Sequence, residues 1–433
     1  MSVKSIILLI GVLFSGIAYS GPVIQHWNTS NGARVYFVPA PEIPMVDVQI
    51  VFDAGSARDN GKPGLAVLTN AMLAEGAGDL NADVIAERFE SVGADFSNHA
   101  HRDMSVFSLR SLTDEKALTQ ATETMALILS KPTFPQDAFM REKNRMLTNL
   151  RSRKQSPGDI AQETFYYDVY GKHPYAAPPT GTDDSIKGLQ RDELIDFSKT
   201  YFVARNAVVA IVGDLDRSKA EALAENLIGK MIEGAPAAKL PEVKELMAPS
   251  FTKLEFPSSQ SHILVGQPGL YRGDADYFAL YLGNHVLGGS GLVSRISDEV
   301  REKRGLSYSA YSYFIPMRKK GPFILGLQTR NESTTEALKV LKETLKKFVA
   351  QGPTEEELDM SKKNITGGFP LSISSNKKIV EYIAMIGFYD LPLDYLDTFN
   401  NHIQATTLEQ IKDAFKRRIE PDKMATVIVG GAS

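Results

Sequence analysis

Apolar positions along the chain run first with a strand period and then with a helix period, and this succession comes round twice. In the first half a β-branched run at residues 46–52 is followed by a turn-rich stretch, 54–59, and an apolar helix predicted from about 64 to 75. The second half repeats that order with a strand at 262–267, a turn-rich stretch at 268–274 and an apolar helix from about 276 to 287. Amphipathic helices follow over 118–129 and 136–151, and over 334–349 and 355–367 in the second half. Each half closes on a β-branched strand running into glycine, at 207–213 and 425–431. This recurrence predicts an internal duplication. A stretch containing Pro, Ala and isolated charges, 234–250, reads as the linker between a first domain over 21–233 and a second over 251–433. Strands and helices alternate irregularly, and 34–38 pairs hairpin-fashion with 46–52, which predicts α+β domains on largely antiparallel sheets.

Residues 1–20 carry one early cation, Lys4, an apolar run over 6–14 and a small-residue end at Ala18-Tyr19-Ser20, the layout of a signal peptide cut after Ser20. The run is too short to span a membrane, which takes about 20 residues, and no later stretch is long enough. The expectation is an exported protein with no membrane span, periplasmic if the source is a Gram-negative bacterium.

Among the 433 residues, 48 Lys and Arg stand against 52 Asp and Glu, and no long basic run points to nucleic acid. The absence of cysteine removes disulfides, thiol nucleophiles and thiolate metal sites, so any metal is left to seven His and the carboxylates. Neither Gly288-Gly289-Ser290-Gly291 nor the stretch ending at Gly61-Lys62-Pro63 has the spacing of a phosphate cradle, and no G-x-S-x-G elbow is present. Nucleotide binding and serine hydrolysis are thereby disfavoured.

The segment Leu287-Gly288-Gly289-Ser290-Gly291-Leu292-Val293-Ser294-Arg295-Ile296, followed by Glu299-Val300-Arg301-Glu302-Lys303-Arg304-Gly305-Leu306-Ser307-Tyr308, resembles the C-terminal signature of the insulinase/pitrilysin-type metallopeptidases. In the first half Gly55-Ser56-Ala57-Arg58-Asp59, Gly64-Leu65-Ala66 and Ser91-Val92-Gly93-Ala94 with Asn98 lie in that family's order. The resemblance covers essentially all of 21–433. It implies two homologous domains, each a largely antiparallel sheet flanked by helices, forming a clamshell around peptide substrates. It also implies substrate contacts at Gly288, Gly289, Ser290, Gly291 and Asn98.

Catalytic members of that family carry H-x-x-E-H on the first-half helix, with two His ligands on one helical face and a Glu that activates the zinc-bound water. A Glu on a later helix is the third ligand. Aligned on Pro63-Gly64-Leu65-Ala66, these positions hold Val67, Asn70 and Ala71, and the later ligand falls at Asn149, or at Thr148 if the frame slips by one. Val and Ala offer no lone pair, and neutral Asn is neither a general base nor a good zinc ligand. A substitute site from His99, His101 and Glu75 is conceivable, since His99 and His101 share a strand face. The remaining histidines, His26, His173, His262, His285 and His402, are isolated.

Arg301 and Tyr308 keep the spacing of the pair that, in the family, holds the scissile carbonyl oxygen as it becomes an oxyanion. On the residues alone, Arg301, Lys303 and Arg304 before Gly305 also suit a cationic helix end, and Tyr308 suits a strand. Within the signature, the resemblance implies a zinc-less partner subunit. Such a chain holds no cofactor itself and lends Arg301 and Tyr308 to a homologous H-x-x-E-H subunit that carries the zinc. A structural or peptide-binding pseudo-enzyme is the alternative.

Overall fold

The computed structural model describes residues 22–431, so the segment read as a signal peptide lies outside the described residues. The first half runs β1 (Gln25–Asn28), β2 (Arg34–Pro39), β3 (Met45–Phe52), α1 (Leu65–Met72), a short ribbon of β4 (Gly76–Ala77) and β5 (Leu80–Asn81), α2 (Ala82–Glu90), β6 (Asp95–Ala100) and β7 (Ser105–Leu112). Helices α3 (Glu115–Ser130), α4 (Gln136–Arg153), α5 (Pro157–Tyr170), α6 (Asp183–Gly188) and α7 (Arg191–Tyr201) lead to β8 (Ala207–Gly213) and α8 (Arg217–Ile228). Between Gly229 and Pro249 there is neither helix nor strand. The second half comprises β9 (Ser250–Leu254), β10 (Gln260–Pro268), α9 (Tyr277–Asn284), α10 (Arg295–Ser297), β11 (Ala310–Phe314), β12 (Pro322–Arg330), α11 (Thr334–Gln351), α12 (Glu355–Ser372), α13 (Asn376–Phe388), α14 (Tyr395–Ala405), α15 (Leu408–Arg418) and β13 (Ala425–Val429).

Strand order shows the duplication directly. The first sheet is β1-β2-β8-β3-β7-β6 and the second is β9-β13-β10-β12-β11. Without β1 the two orders match strand for strand. The one parallel pairing in each, β2 with β8 and β9 with β13, falls at the same place. The expected hairpin of 34–38 with 46–52 does not form. The closing strand β8 inserts between them, parallel to β2 and antiparallel to β3. Its seven residues, all buried, need partners on both edges, and the adjacent strands provide them.

Each sheet is covered on its outer face by helices of its own half. The inner faces are covered by exchange: α13 of the second half lies on β8 and β3, and α5 of the first half lies on β10 and β13. That arrangement explains why β3 and β8 read as nearly continuous apolar runs, since both of their faces are buried. Val51, Val106 and Val208 of the first sheet join Ile383 and Phe388 of α13 in one core. Gly387 permits the approach, because a Cβ there would meet the Tyr36 ring at 2.5 Å. The two shells of the clamshell are thus interlocked.

A polar clasp joins the same junction. Asp103 is 4% exposed. Its Oδ1 accepts the Tyr175 hydroxyl at 2.5 Å, and its Oδ2 accepts the Arg318 backbone N–H at 2.6 Å and the Tyr389 hydroxyl at 3.0 Å. Burial pushes the Asp103 carboxyl up, against the pull of these donors.

Candidate functional site

Helix α1 is anchored before its first turn. The Asp59 carboxylate accepts the backbone N–H of Gly64 at 2.9 Å and of Ala66 at 2.8 Å, so donors that would lack partners at the helix start are satisfied from five and seven residues upstream. Burial raises the Asp59 carboxyl to about 7, while the two N–H groups pull it down. The helix ends at Met72, and a 3-10 turn carries the chain to Glu75.

Val67 and Ala71 stand half-buried on one face of α1, one turn apart, and present only carbon. Asn70 is 2% exposed and fully engaged with β6. The Asn98 amide donates to the Asn70 carbonyl at 2.7 Å and to its Oδ1 at 3.0 Å, and the Asn70 amide donates to the His99 carbonyl at 3.3 Å. Position 70 therefore serves as a clasp between helix and edge strand, and Asn98 is its partner. Asn149 and Thr148 lie exposed on α4. This donor set does not fit a zinc ion: two carbon side chains, one amide already spent, and a second amide on a neutral side chain.

The substitute site is not assembled. Asn98 points to α1, so by strand alternation His99 points to the opposite face, where it shares a cavity with His101. Glu75 is held by Arg141 of α4 instead. Among the described residues no group of three or more His, Asp and Glu could hold a metal ion.

In the second half the glycine segment and the Arg/Tyr segment are both shaped by π-helical turns, at His285–Gly289 and Asp298–Glu302. Sequence periodicity gave no sign of either. Such turns widen a helix locally and recur at functional sites. Gly288 is buried against β11, where a Cβ would sit 2.4 Å from the Ser312 backbone nitrogen. Beyond it Gly289, Gly291, Leu292 and Val293 are exposed, with Ser290 half-buried among them.

Arg301 lies in the second π-turn. Of the cations around it, Lys303 and Arg304 both bond Glu299, at 2.7 and 2.6 Å. Among the described residues Arg301 has only Glu302 as an acidic neighbour within ion-pair distance, at 3.5 Å. Gly305, at φ +61°, donates its N–H to the Arg301 carbonyl at 2.8 Å and ends the turn, so the helix-end reading of this segment also holds. Tyr308 precedes β11 and is not part of it. Its side chain is 88% exposed.

A duplicated α+β chain with carbon at two of the zinc-ligand positions and with the Arg/Tyr segment in its second half has the architecture of an insulinase-type protein. Two family models match: Insulinase (Peptidase family M16) over residues 34–183 and Peptidase M16 inactive domain over residues 188–365. The chain belongs to the M16, insulinase-type peptidase family. A relative from Bacillus subtilis (strain 168), named uncharacterized zinc protease YmxG, is 25% identical over 411 residues, covering 94% of this chain and 98% of its own. One from Helicobacter pylori (strain ATCC 700392 / 26695), named non-peptidase homolog YmxG, is 28% identical over 434 residues, covering 98% and 97%. The crystal structure of peptidase M16 inactive domain from Pseudomonas fluorescens is similar at a TM-score of 0.92 and 42% identity, over 95% of this chain and 98% of that one. These likenesses agree with a non-catalytic member of the family. Among the described residues no helix is long and apolar enough to cross a membrane.

Proposed function

We propose that this chain is the zinc-less subunit of an exported, heteromeric metallopeptidase that acts on peptides or unfolded segments. In this reading Arg301 and Tyr308 reach the active site of a homologous partner that carries H-x-x-E-H, and the zinc belongs to that partner. The observation that carries it is the contrast between the two halves. Position 70 is consumed in an internal clasp, whereas the guanidinium of Arg301 and the hydroxyl of Tyr308 make no hydrogen bond within the described residues. A permanently charged guanidinium in the π-turn and an exposed phenol in the loop that follows are residue types suited to developing negative charge on a carbonyl oxygen. Gly288, Gly289, Ser290, Gly291 and Asn98 are assigned to the substrate's path on the family resemblance, Gly288 and Asn98 acting there through packing and clasping.

A second reading, a peptide-binding protein with no catalytic part, draws on the sheet edge. β6 is an end strand whose outer edge is unpaired among the described residues and whose Asp95, Ser97 and His99 face solvent, which suits the addition of an extended segment.

Metal analysis and peptidase assay separate the readings. The purified chain is expected to carry no stoichiometric zinc and to cleave nothing alone, and cleavage should appear on mixing with an H-x-x-E-H subunit encoded beside it. Stoichiometric zinc with activity in the chain alone would overturn both readings, while extended-peptide binding without any activating partner would favour the second.

A further inference from the structure

We propose that the inner face of the first sheet, beside β6, is a subsite for a basic side chain of an extended polypeptide. The inference rests on the peptide-binding reading above and specifies which peptides are preferred.

A cavity of about 410 Å³ lies there between the strands β3, β6 and β7 and the exchanged helix α13. Strand register fixes its floor in rows. Asp47, Arg110 and Asp95 form one row, and Gln49, Ser108 and Ser97 form the next. The second half has a cavity of about 190 Å³ at the equivalent place, between its sheet and α5. There the row matching Gln49, Ser108 and Ser97 reads Leu264, Gly326 and Tyr311. The Tyr311 ring lies over Gly326, where a Cβ would meet it at 2.5 Å, and stacks on Tyr313 with centroids 5.4 Å apart. The same position in the same architecture is thus narrowed by aromatic rings in one half and left open and polar in the other. Packing of the fold does not require so open a floor.

The sign of that charge follows from which groups are already paired. Asp47 is buried and bonds Arg110 through both oxygens, at 2.9 and 3.2 Å. Burial, reinforced by the neighbouring His99, lowers the pKa of His101 and so works against a positive charge there. Asp95 on β6, with Lys377 and Glu381 on α13, remain exposed in the cavity wall, without ion-pair partners among the described residues. Two carboxylates against one ammonium leave one negative charge to be matched. A strand added to the free edge of β6 turns alternate side chains onto this face, beside Asp95 and His99. A Lys or Arg there meets Asp95 and Glu381, and an acidic side chain is repelled.

The test is binding of fluorescent, unstructured ten-residue peptides to the full chain at low salt, in a Thr/Val/Ser host with one Lys, Arg, Ala or Glu at a central position. Two exposed ion pairs predict binding about three- to ten-fold tighter for Lys and Arg than for Ala, and weaker for Glu. The double variant Asp95→Asn, Glu381→Gln should abolish that order, and Lys377→Ala should sharpen it. A charge-matched control elsewhere on the surface, Glu115→Gln with Glu123→Gln, should leave the order intact. Equal binding of the Lys, Ala and Glu peptides overturns the inference and leaves the peptide-binding reading standing. A preference that survives the double variant, or is lost equally in the control, also overturns it. Absence of binding by every peptide contradicts the peptide-binding reading, and the inference with it.

Discussion

Asn70 and Asp59 illustrate how far single side chains determine this site. From the sequence, Asn70 was a position where a catalytic glutamate would stand and does not. What it does instead, clasping Asn98 and the His99 carbonyl, depends on the packing of α1 against β6 and has no local signature. His99 shows the same limit: it shares a cavity with His101, which lies just past the end of β6 rather than on the strand, and only the sheet's orientation shows that this side is turned away from α1. Asp59 carries a pH prediction. Its carboxyl, raised to about 7, keeps a proton in the folded state that the unfolded chain releases near ~3.9. Its contribution to stability is therefore full below ~4 and is lost as pH rises through 7. Asp59→Asn removes the titration. Melting temperatures of the variant relative to the native chain should rise from pH 5 to pH 8, and a constant difference across that range would contradict the assignment.

At the scale of elements, periodicity located most strands and helices, because strands buried on both faces and long amphipathic helices leave strong patterns. It missed features that depend on distant partners. The insertion of β8 between β2 and β3 was not legible, since any β-branched strand can pair with any other. Both π-turns were also invisible, although they shape the segment holding Gly288 and Arg301. Gly288 gives the element-scale prediction. A methyl group there meets the Ser312 backbone and forces the π-turn away from β11. Gly288→Ala should destabilise the chain by about 1–3 kcal/mol, as overpacking does, read from the urea midpoint. Gly291→Ala tests a different property, backbone strain at φ +65° in open space, and should cost less than Gly288→Ala. A Gly288→Ala midpoint at the native value would contradict the close-packed account.

Across the whole molecule, the duplication was legible and the interlocking was not. The exchange of α5 and α13 brings elements from separate halves onto each other's sheets, and no local pattern distinguishes such a helix from one that covers its own sheet. A shared core predicts that the halves unfold together. Trp27, the single tryptophan, sits on β1 beneath Arg217 and reports the first half, whereas far-UV circular dichroism reports both. The two signals should give coincident urea transitions. Asp103→Ala strands two tyrosine hydroxyls and the Arg318 N–H at the junction, and should shift both midpoints together, corresponding to a stability loss of about 3 kcal/mol or more. Separated transitions in the native chain would show two independent domains.

The central claim, that this chain completes another subunit's active site, is tested most directly by assaying cleavage in the mixture with an H-x-x-E-H partner. With association verified by gel filtration, Arg301→Ala and Tyr308→Phe should each lower kcat by about 10²-fold and change KM little, as expected for lost oxyanion donors. Full activity in both variants would contradict it.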